Sequence, residues 1–234
     1  MIRIRAFRAI DDLQSCQRFA EGHANVLRDY GVTKVTSAKN DWFTNPDVYV
    51  VIIESEDGSI TYGGERVHVA NATHPLPIEA AVGIVDKRIY DLVREHARYS
   101  TAELCGLWNS KAIAGHGTSI LLTKIGVAMA IQLRLHSLFV LCAPYTVQMA
   151  QMCGFAIETS IGNKGTFYYP KLDLVATSLI VRDLVNLPEA DEAVREEIQN
   201  FIINPVQTLE VQGPKGKLAV SIDLTLKPIN SPLQ

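Results

Sequence analysis

Ala102-Glu103-Leu104-Cys105-Gly106-Leu107-Trp108-Asn109-Ser110-Lys111-Ala112-Ile113-Ala114-Gly115-His116-Gly117-Thr118-Ser119-Ile120-Leu121-Leu122 is the stretch on which the architecture turns. It reads as a buried strand over 101–109, a loop over 110–117 with two glycines, and a strongly apolar helix from Thr118 to about Leu133. Glycines at a strand-to-helix junction permit positive φ and let backbone N–H groups come close to an anion. The free N–H groups and positive dipole end of the following helix favour a phosphate. Neither common nucleotide loop is present. No Lys-Ser/Thr pair follows Gly117, and Ile120 stands where the dinucleotide fingerprint wants its third glycine.

Working outward, a second buried strand is expected over Leu138–Ala143, then a helix from Tyr145 to Cys153 closed by Gly154-Phe155, glycine being the usual residue just past a helix end. The uncharged run Leu135–Ile157 is long enough to span a bilayer, but Pro144-Tyr145-Thr146 interrupts it and Gln148 and Gln151 follow. It reads as strand, turn and helix, and no membrane partner is expected.

Upstream, Ile2–Phe7 alternates as a strand, a helix runs from Asp11 to about Asp29, and residues 32–46 read as loop. Val48–Ser55 and Ile60–Ala70 form a hairpin around Asp57-Gly58, Asn71–Pro77 is loop, and a helix covers about Val85–Ala97. Beyond 156 come strands at Thr166–Tyr169 and Leu174–Arg182. A helix from Pro188 to about Phe201 and a hairpin of Thr208–Gln212 with Lys217–Leu226 follow. Early strands without intervening helices, followed by βαβ crossovers, predict an α/β (α+β) fold with a mixed sheet.

The 234 residues are 47% hydrophobic and 20% charged with net charge −3, enough for a sizeable core and without the basic surplus that nucleic acid demands. Cys16, Cys105, Cys142 and Cys153 form no metal-ligand or redox pair, and the last three sit in apolar runs as small hydrophobes. No histidine shows ligand spacing, so no metal is expected. Met1 leads straight into a strand, which fits a cytoplasmic protein.

Glu103–Phe155 resembles the acyl-CoA-binding half of the GNAT (general-control N-acetyltransferase-like) superfamily, and the upstream element order extends the resemblance over about residues 2–183. That family's pyrophosphate loop is Arg/Gln-x-x-Gly-x-Gly/Ala, whose glycines match Gly115 and Gly117; the Leu138 strand, the Tyr145 helix and Gly154-Phe155 resemble its fifth strand, fourth helix and Gly-Phe ending. Gly63-Gly64-Glu65-Arg66, Leu76-Pro77-Ile78-Glu79 and Glu103 are similar to the branch of acyl-homoserine-lactone synthases and N-acyl amino acid synthases. Two positions depart from the pattern: the Arg/Gln falls on Ala112 beside Lys111, and the tyrosine that serves as general acid falls on Ala150, with Tyr145 the nearest substitute.

The resemblance implies a mostly antiparallel GNAT-like sheet with helices on both faces over residues 1–186. A C-terminal helix–hairpin appendage over 187–234 would pair across a homodimer or cover the acceptor site. It implies an N-acyltransferase acting between an acyl-pantetheine thioester and the amine of a small molecule such as an amino acid. The donor is acetyl-CoA, a longer acyl-CoA or an acyl-carrier protein. Glu103 is the expected base and Tyr145 the expected acid. Leu107, Trp108, Asn109, Lys111, Gly115, His116, Gly117, Thr118 and Ser119 are expected along the donor, and Arg66, Trp42 and Phe43 at the substrate. Each has a plain structural alternative: an ion pair for Glu103, a solvated loop for His116, a helix cap for Thr118 and Ser119, a surface strand for Arg66, a cover over the core for Trp42 and Phe43. A non-catalytic module that senses acyl-CoA, and an unrelated α/β fold, remain the rivals.

Overall fold

The structure is a computed structural model describing residues 1–29, 31, 40–169 and 174–226; residues 32–39 of the expected loop and 227–234 of the expected C-terminal unit lie outside the described residues. In chain order the elements are β1 (Ile2–Arg8), α1 (Leu13–Asp29), β2 (Val48–Ser55), β3 (Thr61–Val69), α2 (Pro77–Val82), α3 (Arg88–Ala97), β4 (Thr101–Asn109) and α4 (Thr118–Gln132). Then follow β5 (Ser137–Cys142), α5 (Val147–Met152), β6 (Ala156–Ile157), β7 (Thr166–Tyr168), β8 (Val175–Val181), α6 (Glu192–Ile203), β9 (Val206–Gly213) and β10 (Gly216–Asp223).

One mixed sheet runs in the order β6-β8-β5-β4-β3-β2-β1-β10-β9, with β7 also on β8. It is antiparallel except at β4/β5 and β1/β10. β2 shows why its sequence is a continuous apolar run instead of an alternation: Val51 and Ile53 join the core under α4, while Val50 and Ile52 join the one under α1. α2 and α3 cover the same sheet further along, with Ile78, Val82 and Ile89 against Phe139 and Ile180. Glu54, fully buried on β2, is held by Arg5 at 2.8 Å and Arg3 at 2.5 Å.

Helix α2 is absent from the sequence reading, which took Pro77 for the end of a loop. Proline instead occupies the first helical turn, where its missing N–H costs nothing. Glu79 Oε2 accepts the Leu76 N–H at 2.7 Å and secures that end. The run Leu135–Ile157 is β5, a turn and α5; among the described residues no helix is long and apolar enough to cross a membrane.

Residues of the expected appendage continue the same architecture. Helix α6 lies on α4, with Lys124 Nζ 2.6 Å from Glu197 Oε2, and Val194, Ile198 and Phe201 enter the α4 core. β10 extends the sheet beside β1.

α1 meets β4 closely at Gly22, where a Cβ would stand 2.1 Å from the Trp108 ring. Gly22→Leu should therefore lower stability by about 1–3 kcal/mol through overpacking, although leucine is the better helix former by about 1 kcal/mol. Urea denaturation reads the sign, and an unchanged or higher midpoint would show that the ring yields freely.

Candidate active site

β4 and β5 pair only from Thr101↔Ser137 to Leu104↔Val140. Beyond that point a bulge turns β4 aside: the β3/β4 register shifts between Gly64 and Arg66, and Gly106 takes φ 66°. A side chain at Gly106 would also crowd Arg66, a built Cβ lying 3.3 Å from Nε. The unpaired stretches of β4 and β5 line a cavity of about 370 Å³. Asn109, Gly115 and Ser119 bound it at the glycine loop. Leu104, Thr123 and Ala150 line it under α4, and His23, Val26 and Leu27 close it on the α1 side. Asn109 Nδ2 donates to Ser119 Oγ at 2.7 Å.

Glu103 lies on the wall of this cavity and is 3% exposed. Its Oε2 accepts the Ile78 N–H at 2.6 Å, so the unforeseen helix α2 is what holds it. Burial pushes the carboxyl up to about 8; the Ile78 amide and the positive charge of Arg66 oppose that rise, and Glu79 adds to it. Its register partner His68 is driven down to about 4 by burial and by Arg66, and is therefore neutral, accepting at Nε2 from the Asn45 amide at 3.2 Å.

Arg66 is buried, with its guanidinium 4.2 Å from the Trp42 ring centroid and 5.9 Å from that of Phe19. Trp42 is buried and Phe43 half-buried edge-on to it at 4.5 Å. These three expected substrate residues stand behind the cavity wall and do not line it. Leu107, Trp108 and Tyr145 do line it, Tyr145 at its open side with 78% exposure.

The loop glycines have the predicted strained backbone, φ 88° at Gly115 and 83° at Gly117. Ala114, Gly115 and Ser119 face the cavity, while Lys111, His116, Gly117 and Thr118 are engaged elsewhere. Thr118 is buried with its hydroxyl on the Ile113 carbonyl at 3.4 Å, and Lys111 forms an exposed ion pair with Asp29 at 2.8 Å. His116 and Gly117 lie beneath the β9–β10 hairpin. His116 Nδ1 is 3.3 Å from the Gly216 carbonyl, and the Lys215 N–H donates to the Gly115 carbonyl at 3.0 Å. The Lys215 stem crosses Gly115, with Cγ 2.9 Å from a built Cβ.

Among the residues at this site assigned no role from sequence are His23, Lys215 and Glu65. Glu65 is fully buried on β3, lines the cavity, and has no hydrogen-bond partner on either carboxyl oxygen. Burial drives it well above the usual carboxylate range, opposed by the Gly126 amide, which the helix already uses. Its signal in the sequence was Gly126, the lone glycine inside the apolar helix: a Cβ there would stand 2.6 Å from Glu65 Oε1.

No protein-family model matches this sequence, and no curated protein does. Solved structures do. FeeM, an N-acyl amino acid synthase from uncultured soil microbes, is 13% identical with a TM-score of 0.61, covering 84% of this chain and 98% of its own. An acyl-CoA N-acyltransferase from Pseudomonas aeruginosa is 11% identical with a TM-score of 0.55, over 77% of this chain and 99% of its own. MesI, a CoA-dependent acyl-homoserine lactone synthase, is 15% identical with a TM-score of 0.56, over 84% and 95%. The chain has the GNAT-like fold these proteins share, and the sequence-level expectation of that fold holds.

Proposed function

We propose that this chain is an N-acyltransferase that moves an acyl group from an acyl-pantetheine thioester to the amine of a small molecule such as an amino acid. The observation that carries the reading is the cavity through the parted β4 and β5 strands, with a glycine loop at one end and the buried carboxyl of Glu103 on its wall. The named activities of the three similar structures support it.

In this reading the diphosphate end of the donor sits at Gly115 and Ser119, held by the first-turn amides of α4. Lys215 supplies the cation that Ala112 does not. The pantetheine arm runs along Cys105–Asn109, whose backbone groups face β5 without pairing to it. The amine attacks the thioester carbonyl directly, and Glu103 takes its proton. A carboxyl titrating near 8 holds a proton at neutral pH in most molecules. As base it works in the ionised fraction, which the Ile78 amide and Arg66 sustain. Arg66 is a positioning residue: its charge reaches the site through Glu103. Phe19 and Trp42, the latter backed by Phe43, hold Arg66 in place, and Tyr145 borders the way in.

Ala112 and Ala150 favour a second reading, an acyl-CoA-binding module without turnover. Calorimetric titration with acetyl-CoA and dodecanoyl-CoA, paired with thiol release in an amino-acid pool, separates the two. The expected result is donor binding at the micromolar level and amine-dependent thiol release. Binding without release supports the sensor, and no heat with any CoA thioester or acyl-carrier-protein donor sinks both.

A further inference from the structure

We propose that Glu65 is the acid that protonates the departing pantetheine thiolate, the role for which α5 offers only the methyl group of Ala150. The inference rests on the acyltransferase reading and adds to it a catalytic residue on β3.

The geometry comes from both sides of the sheet. Glu65 and Leu104 face α4, since a Cβ on Gly126 would touch both, 2.6 Å from Glu65 Oε1 and 2.5 Å from Leu104 Cδ1. Glu103, next along β4, points the other way, to the Ile78 amide of α2. Two carboxyls thus border one cavity from opposite faces of the sheet, at the level where the strands part. A thioester threaded through the gap has its amine-facing side toward one and its sulfur within reach of the other.

Their surroundings assign the roles. Glu103 has an amide donor and the positive charge of Arg66 to stabilise its anion. Glu65 has no cation to set against its burial, and the one amide near it, Gly126, already serves the helix: both oxygens are buried without a hydrogen-bond partner, and titratable neighbours within its field include the thiols of Cys105 and Cys153. The carboxyl that is harder to ionise donates, and the one that is easier to ionise accepts. Nor is the space accidental. A glycine inside a helix costs about 1 kcal/mol against alanine, and at position 126 it makes the hole that the carboxyl fills.

The step balances. The amine nitrogen forms the C–N bond and yields its proton to Glu103. The C–S bond breaks with its electron pair on sulfur, and the Glu65 O–H proton goes to that sulfur to give free thiol. Glu103 then releases its proton to solvent and Glu65 takes one back, so that amide and thiol leave with no net proton change. Other acids near the cavity are worse placed. Tyr145 is largely in water, and the Cys142 thiol is buried on β5 with its pKa pushed up to about 11.

The test is Glu65→Gln, a neutral side chain of the same shape, assayed with hydroxylamine as acceptor and two donors of one acyl chain: the CoA thioester and the 4-nitrothiophenyl ester. Aryl thiolate departs without a proton. With acyl-CoA, kcat should fall about 10²-fold while the calorimetric Kd stays within about threefold. With the aryl thioester the ratio of variant to wild type should recover to within about fivefold. Gly126→Ala, which drives a methyl group into the carboxyl's place, should show the same dependence on leaving group and serves if Glu65→Gln does not fold. A wild-type rate with acyl-CoA in either folded variant, or an equal loss with both donors, overturns the Glu65 assignment. So does finding the leaving-group dependence in Tyr145→Phe instead. Failure of wild-type protein to turn over either donor overturns the acyltransferase reading itself, and with it this role.

Discussion

Glu103→Gln should lose nearly all acyl transfer, with kcat down about 10²–10⁴-fold and donor affinity and fold intact. The substitution is well chosen because the carboxamide oxygen can still accept the Ile78 N–H that Glu103 Oε2 accepts at 2.6 Å. The buried site also prefers a neutral group, since desolvation is the largest cause of the raised pKa. The pH dependence follows from the same fact. As a base, Glu103 is active when ionised, so kcat/KM should climb with pH and level off above about 8, where the carboxyl has lost its proton. Hydroxylamine is the acceptor to use, because it is already mostly neutral at neutral pH and adds little ionisation of its own to the rise from there to about 8. Stability moves the opposite way. A carboxyl whose folded pKa lies above its unfolded value contributes stability in full below the unfolded value, and loses it progressively as pH rises to about 8. Wild-type protein should therefore melt at lower temperature at pH 9 than just above neutrality, where the buried His23 and His68 are already neutral and add no slope of their own. Glu103→Gln should flatten that slope and melt higher than wild type at pH 9. A variant with wild-type kcat, or a rate profile falling with pH, would remove Glu103 from the role of base.

The strand–loop–helix at 101–132 was legible because each of its signals is local: an apolar run, two glycines, a second apolar run. The core elements flanking it were legible for the same reason. Helix α2 was not, because Pro77 means loop or first turn with equal right, and only the Glu79–Leu76 hydrogen bond decides. Glu65 stood inside the quoted Gly63-Gly64-Glu65-Arg66, yet its partner in shape is Gly126, about sixty residues later on the helix packed over that face of the sheet. Arg66 looked like a surface-strand residue or a substrate clamp; its packing against Trp42 and Phe19 depends on how α1 and the 3-10 turn at Asp41–Thr44 fold over β3. The largest gap was at the glycine loop. Nothing in residues 110–119 announces that a hairpin a hundred residues later will lie on them.

That hairpin carries the other large effect expected. Gly213→Val should destabilise the protein by about 2–3 kcal/mol, lowering Tm by about 4–12 °C for a chain of this length, and should weaken acyl-CoA binding at the same time. A Cβ at 213 would stand 2.4 Å from the Gly115 carbonyl oxygen and 2.5 Å from the Gly117 nitrogen. Both are backbone atoms of a loop already held at positive φ, so no side-chain rotation relieves the contact. Either the hairpin lifts off the loop or the loop moves toward the cavity. Lifting the hairpin breaks the Lys215 N–H to Gly115 carbonyl bond and draws the lysine stem away from Gly115. Moving the loop displaces Gly115, the residue that faces the donor's phosphate in the proposed reading. Gly216→Ala is the control. Gly216 has φ 110° and nothing within 4 Å of its built Cβ, so alanine there strains the turn without touching the loop. It should lower Tm but leave the donor's Kd unchanged. If Gly216→Ala weakens donor binding as much as Gly213→Val, the effect comes from hairpin stability at large. If Gly213→Val leaves both Tm and Kd at wild-type values, the hairpin has no part in shaping the phosphate end of the cavity.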